Sequence, residues 1–415
     1  MISHATIYVI AALATAGVIL RPFGWPEAIW AVAGATVLLA MRLITPSDAL
    51  RGIANGTDVY LFLAGMMLLA EIARIGGLFD WLAAHAAKSA HGSADRLFLL
   101  IYAVGTIVTI FLSNDATAVV LTPAVAAAVR TAKSANPLPY LLICAFIANA
   151  ASFVLPISNP ANLVIYHSQM PPLVAWLARF TLPSVLSIGV TFVALRWTQR
   201  KALAQEIAAT VAVPTLSRGG QTAAVGIAAT AIALMVSSVY GIKLGLPTAA
   251  AGTVTAIVVL GRERTSFGTA IKDISWGILP LVAGLFVLVQ ALQKTGLIET
   301  IATAIGHWSQ HSPTTTAYAV GVATALASNL ANNLPVGLVA GIALQSANVP
   351  THITSAALIG TDLGPNLSVT GSLATILWLG ALRREGFAVN AWTFLKIGGL
   401  VMPAALALAL ASQIR

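Results

Sequence analysis

The chain has 415 residues, of which 58% are hydrophobic and 8% charged, with a net charge of +9 and a mean hydropathy of +0.89. Soluble domains carry charge at nearly a quarter of their positions, so this composition excludes one and describes a polytopic membrane protein. Its Lys and Arg stand one or two at a time between apolar runs, which suits membrane loops and excludes a nucleic-acid-binding face, and the single Cys144 excludes disulfides and a multi-thiolate metal site.

In chain order, apolar runs predict membrane-spanning helices near 5–20, 26–43, 58–75, 138–155, 172–195, 221–241, 246–261, 274–293, 352–382 and 391–412. The first has neither a basic start nor a small-residue cleavage site, so it is read as a retained span rather than a signal peptide. Glu71 and Arg74 stand three apart near the end of the third span and read as an ion pair on one helix face. The segments 78–92 and 296–310 mix Leu, Ile and Trp with His, Lys or Asp, the pattern of amphipathic helices lying in the membrane interface. Their histidines, His85, His91, His307 and His311, are read as solvated.

Two further apolar stretches, 97–131 and 314–348, carry polar clusters at their centres. Phe111-Leu-Ser-Asn-Asp-Ala-Thr117 is followed by Pro123, and Ala327-Ser-Asn-Leu-Ala-Asn-Asn333 by Pro335. Each half of such a stretch, about 15 residues, is too short to cross comfortably, so re-entrant hairpins with polar tips are expected. The runs 138–167 and 352–382 are expected to be broken helices. Pro156-Ile-Ser-Asn-Pro-Ala-Asn162 interrupts the first, and Asp362-Leu-Gly-Pro-Asn366 through Thr370-Gly-Ser372 the second. Polar groups cost several kcal/mol in hydrocarbon unless satisfied, so four such breaks imply a shared purpose.

The longest polar stretch, 196–220, reads as a linker between two halves, 1–195 and 221–415. Gly65 matches Gly284, Glu71 matches Gln290 and Gly77-Leu78 matches Gly296-Leu297 at an offset of 219. Ser113-Asn114 matches Ser328-Asn329 at 215, and Asn149 matches Asp362 at 213, so the offset is nearly constant and predicts a duplication. Placing the linker in the cytoplasm puts 16 of the 22 Lys and Arg there, with Arg42, Arg51, Arg179, Lys243, Lys294, Arg415 and both chain termini outside. The reverse topology inverts that ratio. With five spans per half, the expected fold is an all-α polytopic membrane protein, an inverted repeat of two five-helix halves. Each half has a re-entrant hairpin and one broken transmembrane helix, and one hairpin enters from each side, as alternating access requires.

Asp115 is the first candidate for carrying a coupling proton: an intramembrane carboxylate with no Lys or Arg nearby in sequence, although an Asp also suits a helix start. Asp362, matched by an amide in the other half, is the second. The candidate substrate-lining residues are Ser113, Asn114, Thr117, Ser158, Asn159, Asn162, Ser328, Asn329, Asn332, Asn333, Thr370, Gly371 and Ser372. Neutral donors and acceptors beside half-helix ends suit a small polyhydroxylated or weakly charged solute, or a dehydrated cation; a firm dianion would more often recruit arginine. The alternative is that these groups only satisfy one another. Cys144 reads as a small apolar residue. No catalytic residue, cofactor or metal ligand set is expected, and without a GxxxxGK[ST] loop the chain does not hydrolyse ATP by that route.

At these residues the chain resembles the arsenite efflux permeases of the ArsB type, within the broad ion-transporter group that also holds the sodium/dicarboxylate symporters. The resemblance covers nearly the whole chain. It rests on Gly360-Thr-Asp-Leu-Gly-Pro-Asn366 with Ser368-Val-Thr-Gly-Ser-Leu-Ala-Thr-Ile-Leu-Trp378, on Ser328-Asn-Leu-Ala-Asn-Asn-Leu-Pro335, and on Asn114-Asp115 with Leu121-Thr-Pro123. The group's sodium symporters read Ser-Asn-Thr at both tips, whereas Ser-Asn-Asp and Ser-Asn-Leu here favour protons over sodium. The resemblance implies a scaffold part and a transport part in the inner membrane, with arsenite or antimonite exported against proton entry. It also implies an optional ArsA-type ATPase partner on the cytoplasmic face. Arsenite at neutral pH is mainly the uncharged trihydroxide, which amides and hydroxyls can bind weakly enough to release. Two rival readings stand beside it: a sodium-coupled symporter of carboxylates or other anions, and a channel subunit energised by a separate ATPase.

Overall fold

The apolar runs fold as helices, and among the described residues there is no strand, only an isolated bridge between Ser93 and Glu206. The structure, a computed structural model, describes residues 2–263 and 267–413; Arg264 and Arg415 of the charge count lie outside the described residues. The first half holds α1 (Ile2–Leu20), α2 (Glu27–Ala40), α3 (Pro46–Asn55), α4 (Thr57–Ile75), α5 (Leu78–Ser89) and α6 (Ala94–Phe111). It continues through α7 (Asn114–Ala116), a π turn (Thr117–Leu121), α8 (Thr122–Thr131), α9 (Leu138–Ala150), α10 (Pro160–Tyr166) and α11 (Leu173–Leu203). The second half holds α12 (Arg218–Val239), α13 (Gly245–Glu263), α14 (Phe267–Lys272), α15 (Ile278–Lys294) and α16 (Leu297–His311). After these come α17 (Pro313–Ala331), α18 (Asn333–Ala347), α19 (Thr351–Leu363), α20 (Leu373–Arg384) and α21 (Ala391–Gln413).

Among the described residues, five helices are long and apolar enough to cross a bilayer: Ala94–Phe111, Leu173–Leu203, Arg218–Val239, Gly245–Arg262 and Ala391–Gln413. The pairs α4–α5 and α15–α16, bent by 59° and 72°, raise the number to seven. The runs near 5–20, 26–43 and 138–155 form the apolar but shorter helices His4–Leu20, Glu27–Ala40 and Leu138–Ala150. One hairpin arm, α6, is by contrast long enough to cross by itself. Both bends fall at a glycine with positive φ, Gly77 at 72° and Gly296 at 79°, a conformation that costs any residue with a Cβ.

Each half lends its bent helix to the other. α4 lies along α13 and touches α12, while α15 lies along α2 and touches α1 and α3. The crossings are close because both helices present glycine there. A Cβ on Gly65 would collide with the Thr248 carbonyl of α13, and one on Gly284 with the backbone of Ala31 on α2. Between membrane helices, such close backbone packing takes the place of the hydrophobic drive that lipid removes. Ion pairs reinforce both crossings. Arg74 Nη2 on α4 lies 2.9 Å from Asp273 Oδ2, just before α15. At the opposite end, Lys294 of α15 pairs with Asp48 of α3, which also caps α3 through Thr45 and binds Arg51 at 2.6 Å.

The hairpins pack on the broken helices. α6 lies on α9, α17 on α19, α18 on α10, and α11 runs beside α21. The base of the first hairpin sits at the end of the bundle that holds the polar connector, where Arg130 Nη1 of α8 bonds Glu385 Oε2 at 2.7 Å. The base of the second sits at the other end, where Gln345 Nε2 donates to the Tyr166 carbonyl at 3.1 Å. The stretch read as a linker is shorter than 196–220, because α11 continues to Leu203 and α12 begins at Arg218. It is also fastened down. Ile207 N donates to the Gly92 carbonyl at 3.3 Å and Ala208 N to the Ala132 carbonyl at 2.8 Å, both at the base of the first hairpin. Ser217 Oγ then donates to the Gly76 carbonyl at the end of α4, 3.1 Å away.

Candidate transport site

The first hairpin turns at Ser113, whose backbone is extended and whose Oγ accepts from Ala116 N at 3.2 Å, capping the returning helix. Asn114 Oδ1 accepts from Asp115 N at 2.9 Å. Pro123 has no N–H to give its own helix, and the chain accommodates this with the π turn over Thr117–Leu121. Thr117 is fully buried and turned inward: its hydroxyl lies 2.8 Å from Thr109 Oγ1 and donates to the Ser113 carbonyl at 3.3 Å. It shapes the tip and does not line an open site. Asp115 is half-buried, and among the described residues no Lys or Arg forms an ion pair with it.

The second hairpin turns later than the Ser-Asn match suggests. Ser328 and Asn329 are still in α17, and the turn falls at Asn332, with φ 69°. Asn332 Oδ1 caps α18 by accepting from Leu334 N at 3.3 Å, so Asn332 does what Ser113 does in the first hairpin. Asn329 instead ties the hairpin to the second helix break. Its Nδ2 donates to the Ala325 and Gly364 carbonyls at 2.8 and 2.9 Å, and its Oδ1 accepts from Ser368 Oγ at 2.6 Å. Thr370 Oγ1 donates to the Asn329 carbonyl at 3.2 Å, and Asn333 N to the Gly371 carbonyl at 2.9 Å.

Both helix breaks form where expected. In the first, Asn162 Nδ2 reaches the carbonyls of Ser152, Leu155 and Pro156 at 2.9 to 3.4 Å, groups that the missing helix would leave bare. Ser158 Oγ donates to the Ile110 carbonyl at 3.0 Å and holds the break against the first hairpin. Asn159 caps α10 by accepting from Ala161 N at 3.0 Å, and its Nδ2 donates to Asp362 Oδ1 at 2.8 Å. Asp362 is fully buried and its Oδ2 has no hydrogen-bond partner. In the second break, Ser372 Oγ caps α20 by accepting from Thr375 N at 3.1 Å.

Two residues outside the candidate set join the breaks to each other. Asn149 Nδ2 donates to Asn366 Oδ1 at 3.0 Å, Asn366 Nδ2 to the Phe146 carbonyl at 3.0 Å, and Ser372 Oγ to Asn149 Oδ1 at 3.2 Å. Asn149 stood out only as the partner of Asp362 in the repeat, and Asn366 only as the end of its motif. A polar side chain on an otherwise apolar helix was the available signal for Asn149.

Four helix starts, capped by Ser113, Asn159, Asn332 and Ser372, converge on one cleft. It is lined by Asn114, Asp115, Asn159, Asn332 and Asn333 on one side, and by Leu281 and Leu285 of α15 on the other. A second cleft adjoins it through the shared residues Leu63, Asp115, Pro160 and Ile278. The second cleft adds Ser113 and runs to Glu71 and Asp273 at the connector end. Ser158, Asn162, Ser328 and Ser372 are fully buried and do not line these clefts; neither do Asn329, Thr370 and Gly371. Helix starts carry unpaired N–H groups and partial positive charge, so the cleft favours oxygen acceptors or negative charge. Among the described residues there is no group of three His, Cys, Asp or Glu placed to hold a metal.

The sequence matches the profile of the CitMHS family, described as citrate transporter, over residues 10–362. The chain belongs to this citrate transporter family. Its relatives include the arsenical pump membrane protein of Escherichia coli, 25% identical over 416 residues, covering 93% of this chain and 92% of that one. An uncharacterised transporter of Mycobacterium tuberculosis is 26% identical over 396 residues, covering 91% of each chain. Two solved structures share the fold: the YdaH transporter of Alcanivorax borkumensis and MtrF of Neisseria gonorrhoeae. The first has TM-score 0.59 and 15% identity, covering 97% of this chain and 98% of that one. The second, described as illuminating a class of antimetabolite efflux pumps, has TM-score 0.56 and 11% identity, covering 98% and 94%. This CitMHS member is thus a multi-pass membrane transporter of the ArsB type with an all-helical fold.

Proposed function

We propose that this protein exports arsenite or antimonite, as neutral trihydroxides, from the cytoplasm across the inner membrane in exchange for protons. The observation that carries this reading is the position of Asp115. It is a carboxylate without a cation partner, in a cleft whose other polar lining is Glu27, Asn114, Asn159, Asn332 and Asn333. Amides and helix-start N–H groups can donate to the three oxygens of a trihydroxide, and the single, fully buried Cys144 leaves no thiolate cage to trap it. The relatives named arsenical pump membrane protein support the substrate class.

In this reading the two halves are inverted repeats, the connector faces the cytoplasm and both termini face outside. The hairpin bases at opposite ends of the bundle and the Lys and Arg distribution support that arrangement. An ArsA-type ATPase would be an optional partner on the connector side. The test is uptake into everted vesicles. Asp115→Asn should abolish pH-gradient-driven arsenite accumulation, and unchanged accumulation sinks the proton role.

A second reading has its own support. The family description names citrate, and four convergent helix starts favour an anion, which points to a sodium-coupled carboxylate symporter. Against it, no Lys or Arg lines either cleft. Citrate binding by the purified protein that is strengthened by sodium, with no arsenite binding, would establish this second reading. Concentrative arsenite transport by the chain alone in proteoliposomes would exclude a channel that needs a separate ATPase.

A further inference from the structure

We propose that Glu71, held by Arg74, is a second proton-carrying carboxylate, passing the proton between Asp115 and solvent at the connector end. This rests on the proton-coupled reading of Asp115. Glu71 lies in the last turns of α4, with its side chain only 8% exposed. Arg74 Nε and Nη2 bind its two oxygens at 2.9 and 2.5 Å, and the same Nη2 binds Asp273 Oδ2 at 2.9 Å. Two carboxylates share one guanidinium, so the cluster carries one surplus negative charge. It can take up a proton and become neutral without leaving a buried cation unpaired. The other ion pair on the cleft wall, Arg21 with Glu27 at 3.1 Å, is already neutral and lacks that capacity.

The geometry gives the cluster a path in each direction. Glu71, Asp273, Ser113 and Asp115 line one cleft, and the Asp273 side chain is 64% exposed. The buried carboxylate and the solvated one are therefore bridged by the arginine, while Asp115 stands further along the same cleft. Neighbouring elements bring other charged groups to this end: Asp80 on α5, Lys272 before Asp273, Arg218 at the start of α12 and Arg262 near the end of α13. Arg262 bonds Thr222 rather than the carboxylates, and no ion pair joins Lys272, Arg218 or Asp80 to the cluster.

The internal duplication sharpens the case. At the offset that matches Gly65 to Gly284, Glu71 and Arg74 fall on Gln290 and Gln293, both neutral. At the same offset, which also matches Ser113 to Asn332, Asp115 falls on Leu334. Gln290 and Gln293 line a separate pocket with Asn55, His167 and Gln345, and no carboxylate lines it. In the first half, the two departures from symmetry that add a carboxylate, Glu71 and Asp115, thus line one cleft; the third such departure, Asp362 against Asn149, is in the second half. A purely structural ion pair would have no reason to coincide with Asp115.

The experiment compares two modes of arsenite movement in proteoliposomes. Net uptake driven by a pH gradient needs proton transfer; arsenite counterflow at equal pH does not. Glu71→Gln should slow driven uptake by about tenfold or more while leaving counterflow within about twofold of wild type. Glu71→Asp, which keeps the carboxylate, should restore much of the driven rate. If Glu71→Gln fails to reach the membrane, Glu71→Gln/Arg74→Gln removes both charges and should show the same split. Unchanged driven uptake, or parallel loss of both modes in variants that reach the membrane, overturns the proposal while leaving the role of Asp115 intact. Wild-type uptake that ignores the pH gradient overturns both.

Discussion

At the scale of single residues, Asp362 poses the sharpest question after Asp115. Its Oδ1 accepts from Asn159 while Oδ2 has no partner, so a fully buried carboxylate is half satisfied. Replacing it with Asn keeps the shape and an oxygen for Asn159, whereas Leu strands the Asn159 amide at a cost of about 1–3 kcal/mol. Asp362→Asn should therefore melt in detergent near the wild-type temperature and Asp362→Leu clearly below it. If Asp362 shares the coupling proton, Asp362→Asn should also weaken gradient-driven uptake in vesicles. Unchanged uptake would leave Asp115 as the hairpin and break region's only carrier. Such a residue was legible in the sequence because a carboxylate in an apolar run has few innocent explanations. Thr117 was not so legible, since a threonine inside a tip can face the cleft or its own backbone with equal ease.

At the scale of elements, prolines and polar clusters marked the hairpins and breaks correctly, for a physical reason: hydrocarbon leaves no solvent for a broken backbone. The exact turn of the second hairpin was hidden. Ser328 Oγ and Asn329 Nδ2 donate back to the carbonyls of Thr324 and Ala325, both at 2.8 Å. Such back-bonds let polar residues stay inside a helix, so the chain runs on to Asn332 before it turns. Span ends were missed in both directions: α2 and α9 stop short of 43 and 155, whereas α11 runs on past 195 to Leu203, because composition marks where apolar residues begin and end rather than where a helix stops. The paired glycines make a firmer element-scale statement. Gly65→Leu should separate α4 from α13, and Gly284→Leu should separate α15 from α2, each costing at least about 1–3 kcal/mol through overpacking. Loss of monodisperse protein on size-exclusion chromatography for both variants, with Gly380→Leu as an unhindered control, checks this; indifference at Gly65 and Gly284 contradicts it.

At the scale of the whole molecule, the halves are joined by exchange rather than by simple contact, with α4 set into the second half and α15 into the first. The pair between Asp48 and Lys294 fastens one of these exchanges outside the predicted spans. The hydrogen bond from Lys294, followed by those from Thr45, holds the Asp48 carboxyl well below the usual carboxylate range. A lowered folded-state pKa contributes stability that is full above the unfolded value near 4 and fades as the pH falls below it. Thermal stability in detergent should thus decline on acidification below about pH 4, and Asp48→Asn should start lower at neutral pH and decline less. An identical acid decline in that variant would remove this pair from the account. The packing of α15 on α2 and α3 was not legible in the sequence, because only the folded chain brings Asp48 to Lys294 across 246 positions.

The connector between the halves has a mechanical meaning. It is pinned to the base of the first hairpin at Ala208 and to the end of α4 at Ser217, with nine residue steps between. At full extension nine residues reach about 30 Å. The first hairpin is therefore tethered to the end of α4. While both pins hold, the distance between those two points has a fixed upper limit written in the number of residues from Ala208 to Ser217, and shortening that stretch would lower the limit.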